Sequence, residues 1–322
     1  MEPRNLSLDI LRIVACLGVI MIHTSGSPIV HGLVETGTVG YYECLLLEAL
    51  SRWSVPVFAM ITGYFMLDSQ KELPIKVLFS KYILRLTVAL IFWSLFYAAT
   101  LHAPYYPFGI QEGHFWYLGM CIGLYLAMPV MRLITQNKRI LKYFCYTWFG
   151  IMVYKFAGNF VDLPIDLRDV MFVDFVGYCL WANYLKTTDF SASTYKAIYV
   201  FGMLGLAITI AAGIITQDAD TAWYGYTSPN VIAVAMALFV FCITHTLNAP
   251  KYISRIISNC SQCTFGIYLV HLWILVQIFF RVHRYIPDTL SLCLICVSVA
   301  FIVGWGVTAL IKKIPILNKY IV

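Results

Sequence analysis

The stretch SLDILRIVACLGVIMIH, from Ser7 to His23, decides the class of this chain. It opens on Asp9 and Arg12, three residues apart and so on one face of a helix, then runs apolar until His23. His23 comes eleven residues after Arg12, roughly 16 Å further along a helix axis. That distance is about half the hydrocarbon core of a bilayer. An ionisable group at such depth is costly and tends to be kept for a purpose. The stretch therefore predicts a transmembrane helix carrying the reactive imidazole of a membrane enzyme.

The rest of the chain agrees with that class. Of 322 residues, 61% are hydrophobic and only 12% charged, about half the charged share of a soluble domain. The apolar runs are long and do not alternate, which predicts an all-α integral membrane bundle and not a β-barrel. About ten spans are expected, at 8–24, 43–67, 76–101, 115–134, 139–157, 169–186, 195–216, 228–247, 261–281 and 289–311, in one polytopic domain over 1–322. The first is no cleaved signal peptide, since it lacks a small-x-small site and further spans follow directly. With the N-terminus inside, seventeen of the 22 Lys and Arg fall on the inner side, and only Arg52, Lys155, Arg168, Arg281 and Arg284 on the outer. This positive-inside bias puts both termini in the cytoplasm. It also accounts for the net charge of +6 through basic inner loops facing anionic lipid, with no nucleic-acid partner.

Most of the ten cysteines sit within apolar runs, as small buried residues do. The pairs Cys260/Cys263 and Cys293/Cys296 fall near opposite membrane faces, so they cannot share a zinc ion, and no metal site is expected. The outer loops 102–114, 158–169 (with Asp162, Asp166 and Asp169) and 217–229 are rich in aromatics or carboxylates. Interfacial belt residues explain the aromatics on composition alone, although the same groups would stack on sugar rings.

Five polar groupings lie in or beside the spans. Asp9, Arg12 and His23 share the first. Glu48 and Arg52 form an i,i+4 pair on the second, where a structural ion pair is the plain reading. Lys81 and Arg85, one turn apart on the third, suit snorkelling anchors or a phosphate-binding fork. His114 and Trp116 stand at the outer entrance of the fourth, and His271 sits mid-span in the ninth. Three intramembrane histidines, His23, His114 and His271, point to a polar cavity or relay.

In order along the chain stand D-x-L-R at 9–12, M-I-H-T at 21–24 and R-x-S-V-P-V-F-x-M-I-T-G-Y at 52–64. There follow H-F-W-Y-L, G-L-Y-L-x-M-P, D-T-A-W-Y-x-Y at 220–226 and T-F-G-I-Y-L-V-H at 264–271. This succession resembles the acyltransferase-3 family, integral-membrane O-acyltransferases of bacterial surface glycans. The resemblance implies that His23 and Arg12 are essential, and that Lys81 and Arg85 serve the acyl donor. Here the chain has Lys-Tyr-Ile-Leu-Arg in place of the usual Arg-x-x-Arg, which weakens the part of Lys81. The implied donor is acetyl-CoA or another acyl-CoA, used as substrate with no permanently bound cofactor. The implied acceptor is an extracytoplasmic or lipid-linked glycan at a bacterial inner membrane. Many relatives append a soluble extracytoplasmic domain; here the chemistry is expected within the membrane domain.

The expected mechanism uses His23 as general base or as a transient acyl carrier. Asp9 and Arg12 are too far along the helix to orient its ring, leaving Glu48, Arg52 or His114 as candidates. A transporter or flippase using the same cavity without chemistry is the main alternative. A sensor or assembly subunit with a vestigial site is a lesser one.

Overall fold

The first span begins where Asn5 accepts the Leu8 N–H at 3.1 Å and caps α1, Leu6–Val30. In this computed structural model, residues 5–101, 113–165 and 171–322 are described. Part of the aromatic outer loop, 102–112, and the segment 166–170 with Arg168 and two of the expected loop carboxylates lie outside them. Helices follow one another as α2 (Val39–Ser51), α3 (Ser54–Met66), α4 (Ile75–Val77), α5 (Leu84–Leu101), α6 (Trp116–Thr135) and α7 (Lys138–Ala157). They continue as α8 (Met171–Thr187), α9 (Ala192–Thr216), α10 (Pro229–Thr244), α11 (Lys251–Val282), α12 (Thr289–Ile311) and the short α13 (Pro315–Tyr320). No strand occurs among the described residues. The protein is an all-α integral membrane bundle.

Eight helical stretches among the described residues are long and apolar enough to cross a membrane. Basic residues at its ends make α7 less apolar, and α8 has 17 residues, yet both pack into the same bundle, α8 against α3, α6 and α7. Contacts at the helix ends show the chain running back and forth. At one end Arg132 donates to the carbonyls of Met66 (2.6 Å), Asp68 (3.1 Å) and Lys71, closing the end of α6 on the loop after α3. Ser7 donates to the His245 carbonyl (2.6 Å), and Arg85 to that of Val322 (2.5 Å), at this same end. At the other, Tyr41 donates to the Gln217 carbonyl (2.8 Å), and Glu43 accepts from Leu290 N–H (3.1 Å). Residues near both termini thus lie at one end, as an even number of crossings requires.

The second predicted span, 43–67, runs as one stretch over Val39–Met66, but its hydrogen bonding lapses between α2 and α3 at Arg52 and Trp53, both of which keep helical dihedrals. Pro56 supplies the reason, because it has no N–H to donate to the Arg52 carbonyl four residues back, and its ring crowds that carbonyl. Hydrogen bonding restarts with Val57 N–H on the Trp53 carbonyl (3.2 Å). The third span is likewise irregular, with a π-helical turn, Leu78–Ile83, between α4 and α5. Such wide turns interrupt helices mainly at functional positions.

Close approach of backbones sets the packing around the cavity. A Cβ on Gly63 would lie 2.4 Å from Cys179 Cα and its carbonyl oxygen, which keeps α3 tight on α8. One on Gly266 would lie 2.4 Å from the Thr308 methyl, bringing α11 against α12. Lying beside α11 and parallel to it, α1 meets Ser261 at Arg12, Thr264 at Cys16 and His271 at His23. This pairing carries the first motif of the chain to the last.

Candidate active site

Between α1, α3, α5, α6 and α11 lies a cavity of about 370 Å³, within the range of small-molecule sites. It extends from Arg12, Arg85 and Gln262 at the end nearer the termini to His23, His114, Trp116 and Tyr226 deep in the bundle. Tyr82, Tyr117, Tyr125 and Tyr268 line the stretch between. With the orientation derived from charge, the arginine end faces the cytoplasm.

Two guanidinium groups frame that inner end. Arg12 donates to Ser261 Oγ (3.4 Å) and lies over the Phe65 ring at 5.7 Å. Ser261 in turn donates to Asp9 Oδ1 at 2.6 Å. Asp9 is buried and is not part of the cavity wall; Ser261 links it to Arg12, far from His23 along α1. Arg85 reaches the cavity across the Phe265 ring at 5.2 Å while its other contact is the Val322 carbonyl. Lys81 does not line the cavity: its side chain is exposed, with the ammonium 5.3 Å over the ring of Tyr82, which is part of the cavity wall.

The three intramembrane histidines come together. Ring centroids are 5.2 Å apart for His23 and His271, 5.1 Å for His114 and His271, and 6.1 Å for His23 and His114. His114, at the start of the fourth span, sits in a 3₁₀ turn ahead of α6 and is only 2% exposed. Tyr268 holds that turn by donating to the His114 carbonyl. His271 is fully buried behind the cavity, and its Nδ1 bonds the Tyr268 carbonyl at 2.5 Å. Tyr97 ties α5 to the same place, donating to the Leu269 carbonyl and accepting from Trp273 N–H, both at 3.0 Å. His23 and His114 face the cavity, whereas His271 supports them from the rear.

Glu48 and Arg52 do pair, at 2.5 Å, and Ser25 Oγ donates to the second oxygen of Glu48 at 2.9 Å. The Arg52 guanidinium lies over Tyr224 (5.2 Å) and Tyr226 (5.5 Å). Tyr226 stacks on Trp116 at 5.6 Å and 23°, so this ion pair braces the outer wall of the cavity. Neither member lines the cavity itself.

Sequence reasoning did not single out Ser261, Tyr97, Tyr268, Phe65 or Phe265. Tyr268 left a signal, three residues before His271 and hence on the same helix face. Ser261 left none, because only the parallel pairing of α1 with α11 places it between Asp9 and Arg12.

A polytopic helical bundle with a mid-depth histidine cluster and a cationic approach from one side defines a membrane protein with a chemical chamber, not merely a scaffold of spans. The sequence model of the acyltransferase-3 family, described as an acyltransferase domain, matches residues 5–309, and the chain belongs to that family. It is therefore a membrane acyltransferase. No curated protein and no solved structure matches it.

Proposed function

We propose that this protein is an O-acyltransferase that moves an acetyl or other short acyl group from cytoplasmic acyl-CoA to a hydroxyl of an extracytoplasmic or lipid-linked glycan, in a bacterial inner membrane. The observation that carries this reading is the continuity of the cavity from Arg12 and Arg85 to His23 and His114. The phosphates of CoA are anionic and suit the two guanidinium groups, which present paired donors in a fixed fork. The apolar and tyrosine-lined middle suits the extended thioester arm. His23 then meets the acyl carbon at a depth water does not reach freely. As general base it takes the proton of the acceptor hydroxyl while that oxygen attacks the thioester carbonyl. The C–S bond breaks, and the proton ends on the CoA thiolate. As nucleophile it carries the acyl group first and the hydroxyl attacks second.

Trp116 and Tyr226, stacked at the outer end, offer the flat apolar faces on which sugar rings pack. We take the acceptor to be a surface repeat unit, of the kind acetylated by the inner-membrane O-acetyltransferase of enterobacterial common antigen. Comparison of O-acetyl esters on surface glycans from cells with and without the gene tests the proposal. Loss of one ester class on deletion supports it, and an unchanged ester profile refutes it.

A further inference from the structure

Two ring nitrogens in the histidine cluster are unusual. Nε2 of His114 and Nε2 of His271 are both buried without a hydrogen-bond partner. Buried polar atoms are nearly always partnered, so each such atom calls for an explanation, of which a catalytic role is one. For His271 the chemistry is determined. A carbonyl oxygen only accepts, so the Nδ1 bonded to the Tyr268 carbonyl must carry the proton. In the neutral ring Nε2 is then a bare acceptor, facing the cluster.

Two rings stand within its reach. A hydrogen bond of about 2.9 Å between two imidazole nitrogens, each about 1.1 Å from its ring centre, separates the centroids by about 5.1 Å when the two nitrogens point at each other. His271 stands 5.2 Å from His23 and 5.1 Å from His114, whereas those two are 6.1 Å from each other. His271 is the hub, and it alone of the three lies off the cavity wall.

We propose that His271 is a positioning residue for His23: its Nε2, unpartnered in the arrangement seen here, accepts the ring N–H of His23 once the rings turn slightly, and leaves the opposite nitrogen of His23 bare toward the cavity. The pinned backbone of Tyr268 fixes the tautomer of His271, which fixes that of His23, which presents a lone pair to the substrate. This is the logic of a nucleophile or base oriented by a third group, with an imidazole where a carboxylate is more usual. Its catalytic consequence rests on the acyl-transfer reading; its geometry does not. Tyr97, Tyr268 and the Arg52 guanidinium are the other titratable or charged groups around the cluster. Of these, Tyr97 and Tyr268 already direct their hydroxyls at backbone carbonyls.

The test compares His271→Gln with His271→Phe in purified protein in nanodiscs. Gln keeps a carbonyl acceptor near the position of Nε2, while Phe keeps ring shape and removes the acceptor. With labelled acetyl-CoA and a glycan acceptor, Phe is expected to lower kcat by about 10²–10⁴-fold at nearly unchanged donor KM, and Gln to recover at least about tenfold of that loss. A merely structural role would favour Phe over Gln, and that order of activities overturns the proposal. A second readout needs no turnover: nitrogen NMR of ring-labelled histidines. Wild type is expected to show His23 in one tautomer, and His271→Phe to show it in a mixture. Unchanged His23 nitrogen signals in His271→Phe overturn the proposal even if no acyl transfer is detected. Failure of wild-type transfer alone counts against the acyltransfer assignment, and the NMR result then decides this inference by itself.

Discussion

Removing Glu48 should destabilise the bundle far more than removing the whole ion pair. The carboxylate lies 2.5 Å from the Arg52 guanidinium, with side chains only 8% and 16% exposed. At an effective dielectric near 20 the bare attraction at that distance is about 7 kcal/mol. Desolvation of both ions offsets much of it, and cutting one partner from a buried pair typically costs about 3–5 kcal/mol because the other charge stays behind. In Glu48→Ala, Arg52 keeps its contacts with Tyr224 and Tyr226, but these are present in the wild type and offset nothing. Ser25 loses one acceptor yet still reaches the Met21 carbonyl at 2.8 Å, so it adds little to the loss. The expected cost of Glu48→Ala is about 3–5 kcal/mol, while Glu48→Leu/Arg52→Leu stays within about 2 kcal/mol of wild type. Reversible unfolding in bicelles, followed by steric trapping, measures both. A Glu48→Ala variant within about 0.5 kcal/mol of wild type would refute the reasoning. A double variant less stable than either single one would also refute it.

Arg85→Ala should raise the KM for acyl-CoA by about 10–150-fold with little change in kcat, the loss of a charge-assisted contact. Lys81→Ala should leave KM within about twofold, since its side chain is exposed and does not line the cavity, and steady-state kinetics with both variants separates the two roles. Gly63→Leu should force α3 from α8, where even a Cβ meets Cys179 backbone at 2.4 Å, and should lower the unfolding midpoint clearly more than Gly306→Ala, where space is open. Asp68, in the inner loop, has its carboxyl held below the usual range. Partial burial works against ionisation there, but Gln70 N–H, Lys186 and Lys71 outweigh it. A depressed folded-state pKa stabilises above the unfolded value and stops doing so as pH falls through the folded one. Wild type should therefore exceed Asp68→Asn in stability at neutral pH and converge with it below about pH 4, read by thermal unfolding in detergent.

Much of this architecture is written in local sequence, because membrane spans must satisfy their own backbones and declare themselves by length and apolarity. Charge bias likewise anticipates the shared end of the termini, and the depth of His23 anticipates its cavity. Partner choice between spans is another matter. The approach of α1 to α11 depends on shape and on contacts such as Cys16 Sγ on the Thr264 carbonyl, and no period in either segment names the other. Ser261 between Asp9 and Arg12, and His271 behind His23, both follow from that pairing. The lapse in hydrogen bonding at Arg52 was legible, since Pro56 removes the bond that would carry the helix through, but a continuous apolar run conceals it. Lys81 lies within the π-helical turn Leu78–Ile83, which composition does not show, so its spacing from Arg85 in α5 is no guide to a common face.

The central claim, acyl transfer through His23, is tested most directly in proteoliposomes with labelled acetyl-CoA on the side of Arg12 and Arg85 and a glycan acceptor on the other. Wild type is expected to move label to the acceptor as CoA thiol is released, and His23→Ala to lose both by on the order of 10³-fold or more while remaining folded. Label reaching the acceptor at an undiminished rate in His23→Ala would contradict the account.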